Sequence, residues 1–237
     1  MFSKSAKYYD EIYASVDKDY STEARKTHRF IQKHKLTGGS RLLDVACGTG
    51  MHANLLNQHY HVEGLDLDPK MLSIARGKYP SIKYHQGDMV DFNINHQFDV
   101  ITCLFSSIGY VVTKTRLDKA IRNMAQHLLP GGVLLVEPWF SQEQWNAGRV
   151  SMTSVDKPDL KIVRMSRGSR RDNVSILEFH YLFGTAKGIE HHTEIHKLGL
   201  FSEKDYLNAF RSAALKVIHD AKGLDGRGLY IGVKPIG

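Results

Sequence analysis

Apolar and polar positions follow two different rhythms along this 237-residue chain. In the first half, apolar runs of strand length take turns with apolar stripes at helical spacing. Tyr20, Ala24, His28 and Ile31 share one stripe and predict a helix over residues 17–35, ended by Gly38-Gly39. Residues 41–46 are short, apolar and stopped by glycine, which predicts a strand, and a helix follows from Met51. Residues 61–66 predict a second strand. Asp68-Pro69 then supplies an N-cap and a first-turn proline for a helix carrying Met71, Leu72 and Ala75. Strands are expected at 82–85 and 98–104. Leu117, Ala120, Ile121, Met124 and Leu128 predict another helix, with Pro130-Gly131-Gly132 as its stop and a fifth strand at 133–137. Strands alternating with helices in this way predict an α/β fold with a doubly wound, mostly parallel sheet.

After Trp139 the rhythm changes to β-like stretches at 162–166, 175–183 and 191–198. Turn signals separate them at Arg171-Asp172-Asn173 and Lys187-Gly188. This predicts an antiparallel sheet inserted after strand five. Ser202-x-x-Asp205 then opens a helix through Tyr206, Phe210 and Ala213. Residues 215–219 and 229–233 close the main sheet at seven strands. The expected organisation is one domain from 1–138 and 200–237, interrupted by an insert at 139–199.

Hydrophobic residues make up 42% of the chain and charged ones 24%, enough for a packed core. No apolar run is long enough to span a bilayer. MFSKSAKYYDEIY lacks an apolar signal core, so a cytoplasmic location is expected. Cys47 and Cys103 give neither a disulfide framework nor metal-ligand spacing and read as packed thiols. The net charge of +7 owes much to Lys157, Lys161, Arg164, Arg167, Arg170 and Arg171, and such a zone is most often a solvated face.

Three consecutive strands end at an acid: Asp44, Asp66 and Asp88. Ligands of open parallel sheets bind at those carboxyl ends. Gly48 and Gly50 let backbone approach such a ligand. Gly48-x-Gly50-x-x-Ala53 also fits a loose dinucleotide fingerprint, with Asp66 near the ribose position. Two features oppose that reading: Asp44 is a poor neighbour for a pyrophosphate, and Asp88 has no place in the dinucleotide pattern. S-adenosylmethionine fits better. Asp44 and the carbonyls near Ala46 suit its ammonium, Asp66 its ribose diol, and Asp88 with the Met89 N–H its adenine.

LLDVACGTG, VEGLDLDPKML, QGDMVDF, FDVITCLFSSIGY and LLPGGVLLVEPW resemble, in order, the motif series of class I S-adenosylmethionine-dependent methyltransferases. The whole chain further resembles the N,N-dimethyltransferases of nucleotide-activated amino sugars. CLFSSIG, VEPWF, the run from His191 to His196 and GLDGRGLYIGV carry that second resemblance. It implies a Rossmann-like methyltransferase fold, S-adenosylmethionine as cofactor, an amino-sugar nucleotide as substrate, an insert that shapes the acceptor site, and a homodimer.

It also implies roles. Tyr9 and Tyr20 reach the methionyl carboxylate, and Leu67, Met71 and Leu104 complete the cofactor set. Arg227, between glycines, grips the diphosphate. Tyr110 stands where the family commonly has histidine and is expected to orient the acceptor amine without serving as a base. Glu137, Trp139 and His180 are further substrate-side candidates. His192, Glu194 and His196 share one strand face; methyl transfer needs no metal, and a polar face packed on the active-site floor or on another subunit is the expectation. Alternatives are another small-molecule acceptor or, further off, nucleic acid or protein. The region after strand four lacks the proline pair with which base-modifying enzymes of this fold hold a flipped base.

Overall fold

The computed structural model describes residues 4–236. A turn of 3-10 helix at Ala6–Tyr8 leads into α1 (Tyr9–Ala14) and α2 (Tyr20–His34). There follow β1 (Arg41–Val45), α3 (Met51–Leu56), β2 (His61–Asp66), α4 (Pro69–Lys78), β3 (Lys83–Gln86) and β4 (Phe98–Cys103). A second 3-10 turn, Ser107–Val111, precedes α5 (Lys114–Gln126) and β5 (Leu128–Val136). The next four strands are β6 (Val150–Lys157), β7 (Leu160–Arg171), β8 (Val174–Thr185) and β9 (Gly188–Gly199). The chain closes with α6 (Glu203–Ser212), β10 (Lys216–Asp220) and β11 (Leu229–Val233).

Among the described residues, one sheet has seven strands in the order β10-β11-β5-β4-β1-β2-β3, and the other has β6 to β9 in sequence. In the larger sheet β11 runs antiparallel to β5 and β10, while β1 to β5 pair in parallel. Side chains alternate between its faces. Leu42, Val62, Val100 and Leu135 pack with Ala24, Ile31 and Leu72 of α2 and α4. Leu43, Leu65, Ile101 and Leu134 pack with Leu117, Ile121 and Phe210 of α5 and α6. Both faces are thus covered, which is why these strands read as nearly continuous apolar runs. Strand order reverses at β1, with β2 on one side and β4 on the other, and this places the crevice at the end of Asp44.

Several expected boundaries move. The first long helix starts at Tyr20, not residue 17, because Asp17 sits at φ 54° and the Asp19 carboxylate caps the helix, accepting from the Thr22 N–H at 2.8 Å. Leu128 begins β5 and does not end α5. Pro130-Gly131-Gly132 lies inside that strand, where a register shift against β4 between Phe98 and Val100 accommodates it. β3 begins one residue late. The smaller sheet has a fourth strand, β6, absent from the sequence reading. β6 is an edge strand with one buried side chain, Val155, so it carries no alternating apolar signal.

The inner face of the smaller sheet holds Val155, Ile162, Phe179, Tyr181 and Phe183, and Ile12 of α1 packs against it. The N-terminal segment therefore lies between this sheet and the crevice. Of the basic zone, Arg164 turns inward, its guanidinium over the rings of Tyr13 and Phe179, while Lys157, Lys161, Arg167, Arg170 and Arg171 are exposed. No helix of the described residues is long and apolar enough to cross a membrane.

Candidate active site

The crevice is built from strand ends. Asp44 closes β1 with its carboxylate buried, accepting from the Thr102 hydroxyl of β4 at 2.8 Å. Burial pushes this carboxyl up to about 6, with His52 and the Thr102 bond opposing. The chain then turns through Ala46, at φ 58°, a left-handed conformation costly for a residue with a Cβ.

Asp66 closes β2 and accepts from two backbone amides at 2.8 Å, Gly48 N–H on one oxygen and Asp68 N–H on the other. Burial raises its carboxyl, and those two amides work against the shift. Asp88, two residues beyond β3, accepts from the Val90 N–H at 3.1 Å and from the Arg116 guanidinium at 2.6 Å.

The two glycines serve different ends. Both have positive φ, 56° at Gly48 and 83° at Gly50. A Cβ at Gly48 would meet nothing within 4 Å, so its hydrogen leaves open space. A Cβ at Gly50 would come within 2.8 Å of the Tyr84 hydroxyl, so Gly50 allows close packing and does not line the crevice.

These groups open onto a cleft whose empty space, part of it open to solvent, is about 770 Å³. Asp66, Asp88 and Met89 line it on the strand-end side, Leu67 and Met71 from the start of α4, and Tyr110 from the turn after β4. A smaller extension is lined by Asp44, Tyr20 and Leu104, and Tyr9, Ala46 and Gly48 border both parts. Each residue expected on the cofactor side, Gly50 apart, thus lines one of these two adjoining spaces. Phe105 and Ser106 sit beside it at φ 53° and 60°, two consecutive strained residues at the end of β4.

The N-terminal segment is latched over this space at two points. Thr49 of the glycine loop donates its hydroxyl to Asp10 at 2.7 Å, and Lys78 pairs with the same carboxylate. At the other end, the Lys4 and Ser5 amides donate to Glu194 of β9 at 2.8 and 3.1 Å, and the Ser5 hydroxyl adds a bond at 2.9 Å. Burial alone would raise the Glu194 carboxyl, but His196 and the donors of Lys4 and Ser5 hold it down to about 2.

The substrate-side expectations fare unevenly. Tyr110 lines the cavity, buried enough that its phenol is pushed well above its ordinary value. Glu137, Trp139, His180 and Arg227 do not line it. Glu137 is fully buried at the end of β5, accepting from the Phe105 N–H and the Arg227 guanidinium. Burial raises its carboxyl, Arg227 only partly offsetting this. Arg227 is engaged by Asp225 as well and donates to the Ser106 hydroxyl at 2.9 Å, so it braces the strained turn after β4.

Trp139 is a joint between the two sheets. Its indole N–H donates to Ser175 of β8 at 2.9 Å, and its ring meets Phe140 and Trp145. His180 faces outward, exposed, bonded to His191 and Glu178; alternation along β8 turns it away from the crevice. Sequence reasoning placed Glu194 and His196 on a polar strand face without giving either a contact to Tyr110, whose hydroxyl lies 2.7 Å from His196 Nδ1. Their signal was the spacing of two that it had already noticed, which puts both on the inward face of β9.

A parallel sheet with acids at successive strand ends defines a nucleoside-binding α/β protein. The methyltransferase-domain family matches residues 42–132, which spans β1 to the middle of β5. The chain belongs to the methyltransferase family. More particularly, it is 40% identical to a dTDP-3-amino-3,6-dideoxy-alpha-D-glucopyranose N,N-dimethyltransferase of Streptomyces fradiae, over 96% of this chain and 90% of that protein. It is 37% identical to a dTDP-3-amino-3,4,6-trideoxy-alpha-D-glucopyranose N,N-dimethyltransferase of Streptomyces venezuelae, over 95% of each. Among solved structures, Streptomyces venezuelae DesVI superposes with a TM-score of 0.92 at 36% identity, covering 98% of both chains. CalS10, an amino pentose methyltransferase from Micromonospora echinaspora solved with S-adenosylmethionine bound, gives 0.86 at 34%, covering 95% of this chain and 96% of that one. The resemblance read from the motifs therefore holds over nearly the full length.

Proposed function

We propose that this protein transfers methyl groups from S-adenosylmethionine to the amine of a nucleotide-linked amino sugar. The observation that carries the reading is the row of acceptors along two adjoining pockets, Asp44 on the smaller and Asp66 and Asp88 with Tyr110 on the larger. Full-length similarity to amino-sugar N,N-dimethyltransferases supports the acceptor class.

The donor set fits the cofactor. Asp44 with Tyr9 and Tyr20 would hold the amino-acid end, Asp66 the ribose diol, and Asp88 with the apolar walls of Leu67, Met71 and Met89 the adenine. Leu104, Ala46 and Gly48 border the space between. The cofactor supplies an electrophilic methyl on a sulfonium. The chain's own residues must bring a neutral amine into line with it and keep water away, and such positioning is worth several kcal/mol of barrier. Tyr110 holds the amine by hydrogen bonding; with its phenol pushed further up by burial it stays neutral and is no base near pH 7.

The same reading makes 139–199 the part that shapes the acceptor side, with Arg164 facing inward from it. Arg227 would meet the diphosphate only by exchanging its present partners, Asp225 and Glu137. The reading also includes a cytoplasmic location and a homodimer. Exposed Met152, Met165 and Ile195 on the outer face of β6, β7 and β9 support pairing, which sedimentation would test.

The decisive experiment incubates the protein with labelled S-adenosylmethionine and a panel of dTDP-amino sugars, simple amines and RNA, read by mass. The addition of one or two methyls to an amino-sugar nucleotide is expected. Transfer to RNA, or to simple amines alone, would overturn the acceptor class.

A further inference from the structure

A hydrogen-bonded chain runs from the cavity wall into the smaller sheet. The Tyr110 hydroxyl lies 2.7 Å from His196 Nδ1. His196 Nε2 lies 3.3 Å from Glu194, whose carboxylate also accepts the Lys4 and Ser5 amides and the Ser5 hydroxyl. Both side chains are buried, His196 completely. The chain links the 3-10 turn after β4, the inward face of β9 and the N-terminal segment.

The partners dictate which way the protons point. A carboxylate can only accept, so His196 must carry a proton on Nε2 to bond Glu194. Burial keeps the imidazole below its ordinary value, with Glu194 opposing and Arg164 of β7 adding to the depression, so the ring is neutral at pH 7. A neutral ring protonated at Nε2 has a bare Nδ1, which must accept. The Tyr110 hydroxyl therefore donates to His196, and its proton is not available to the cavity.

We propose that Glu194 and His196 are positioning residues for methyl transfer: they commit the Tyr110 proton to the imidazole, so the phenolic oxygen meets the substrate amine as a hydrogen-bond acceptor. An amine that donates N–H to Tyr110 keeps its lone pair free for the methyl. A Tyr110 that donated into the cavity would instead occupy that lone pair and block attack. The chain thus gives this protein a defined hydrogen-bond acceptor at Tyr110. It also couples that acceptor to closure of the N-terminal segment, since Glu194 holds both. The proposal rests on the amine-methyltransferase reading above.

Two measurements on the full chain test it. In a long-range ¹H–¹⁵N spectrum of protein labelled at histidine, assigned with His196→Asn, His196 should show an unprotonated Nδ1 and a protonated Nε2 at pH 7.5. The opposite tautomer, or an imidazolium, overturns the proposal whatever the acceptor proves to be. The second is a double-mutant cycle on kcat with the amino-sugar nucleotide that the panel identifies. His196→Leu should lower kcat about tenfold, the worth of one hydrogen bond, and leave the KM for S-adenosylmethionine unchanged. His196→Asn, which keeps an acceptor near Nδ1, should recover most of that loss. In a Tyr110→Phe background His196→Leu should add nothing further. Additive losses mean that His196 acts only by packing and overturn the proposal, as does an unchanged kcat in His196→Leu. Should the wild-type protein methylate no amine at all, the function reading fails, while the tautomer result still stands or falls by itself.

Discussion

Asp44→Asn separates what the site costs the fold from what it gives the ligand. Asp44 is buried at the end of β1, and its carboxyl is raised from 3.8 to about 6. A carboxyl whose folded value lies above its unfolded one binds its proton more tightly when folded. Its favourable contribution is complete below pH 3.8 and is lost as pH rises through 6. That rise in the Asp44 carboxyl corresponds to about 3 kcal/mol of penalty above pH 7. Asparagine carries no charge and can still accept the Thr102 hydroxyl. The ligand-free variant should therefore be more stable than wild type at pH 8, by up to about 3 kcal/mol, with the gap about halved at pH 5. Urea unfolding at both pH values measures it. Calorimetry with S-adenosylhomocysteine at pH 8 should show the opposite sign, a loss of about ten- to a hundredfold in affinity, if Asp44 makes the proposed charge-assisted bond to the ammonium. A variant less stable than wild type at pH 8, or a stability gap that does not move with pH, would refute the reasoning.

Other variants probe neighbouring parts of the site. Gly48→Ala should fold with a loss of about 1 kcal/mol, from a Cβ at positive φ, yet bind cofactor at least tenfold more weakly, because the methyl enters open cavity. Gly50→Ala should do the reverse, losing about 2 kcal/mol or more of stability through contact with Tyr84, and thermal melts beside calorimetry separate the two. Arg227→Ala strands the buried Glu137 carboxylate and should destabilise the fold by about 3 kcal/mol at pH 8; adding Glu137→Gln should restore much of this, as read by urea midpoints. Trp139→Ala should cost about 3 kcal/mol by loosening the joint between the sheets, while the affinity for S-adenosylhomocysteine changes less than threefold.

The alternation of strands and stripes was enough to set the parallel sheet, because β1, β2, β4 and β5 are covered on both faces and read as mostly apolar runs. The row of strand-end acids was legible for a similar reason. Asp44 and Asp66 lie at the ends of β1 and β2 and Asp88 two residues beyond β3, so a correct strand assignment carries them to one edge without further information. β6 stayed hidden because an edge strand with one buried residue has no pattern to show. The proline at 130 misled because a bulge against β4, a matter of pairing, lets β5 run through it.

The acceptor side was decided by tertiary contact alone. His180, between Phe179 and Tyr181, and His196, between Ile195 and Lys197, each sit on a strand, and neither flank by itself tells what the imidazole will meet. The first is turned to solvent and the second to the Tyr110 hydroxyl, because register across β8 and β9 and the packing of β9 on the turn after β4 assign the faces. Likewise a guanidinium between glycines looks free in the sequence, yet Arg227 is claimed by a buried carboxylate 90 residues away. Strand-end chemistry is written in one dimension, because the chain passes the site at each strand's end. Groups that meet across two sheets have their partners set only when the sheets close.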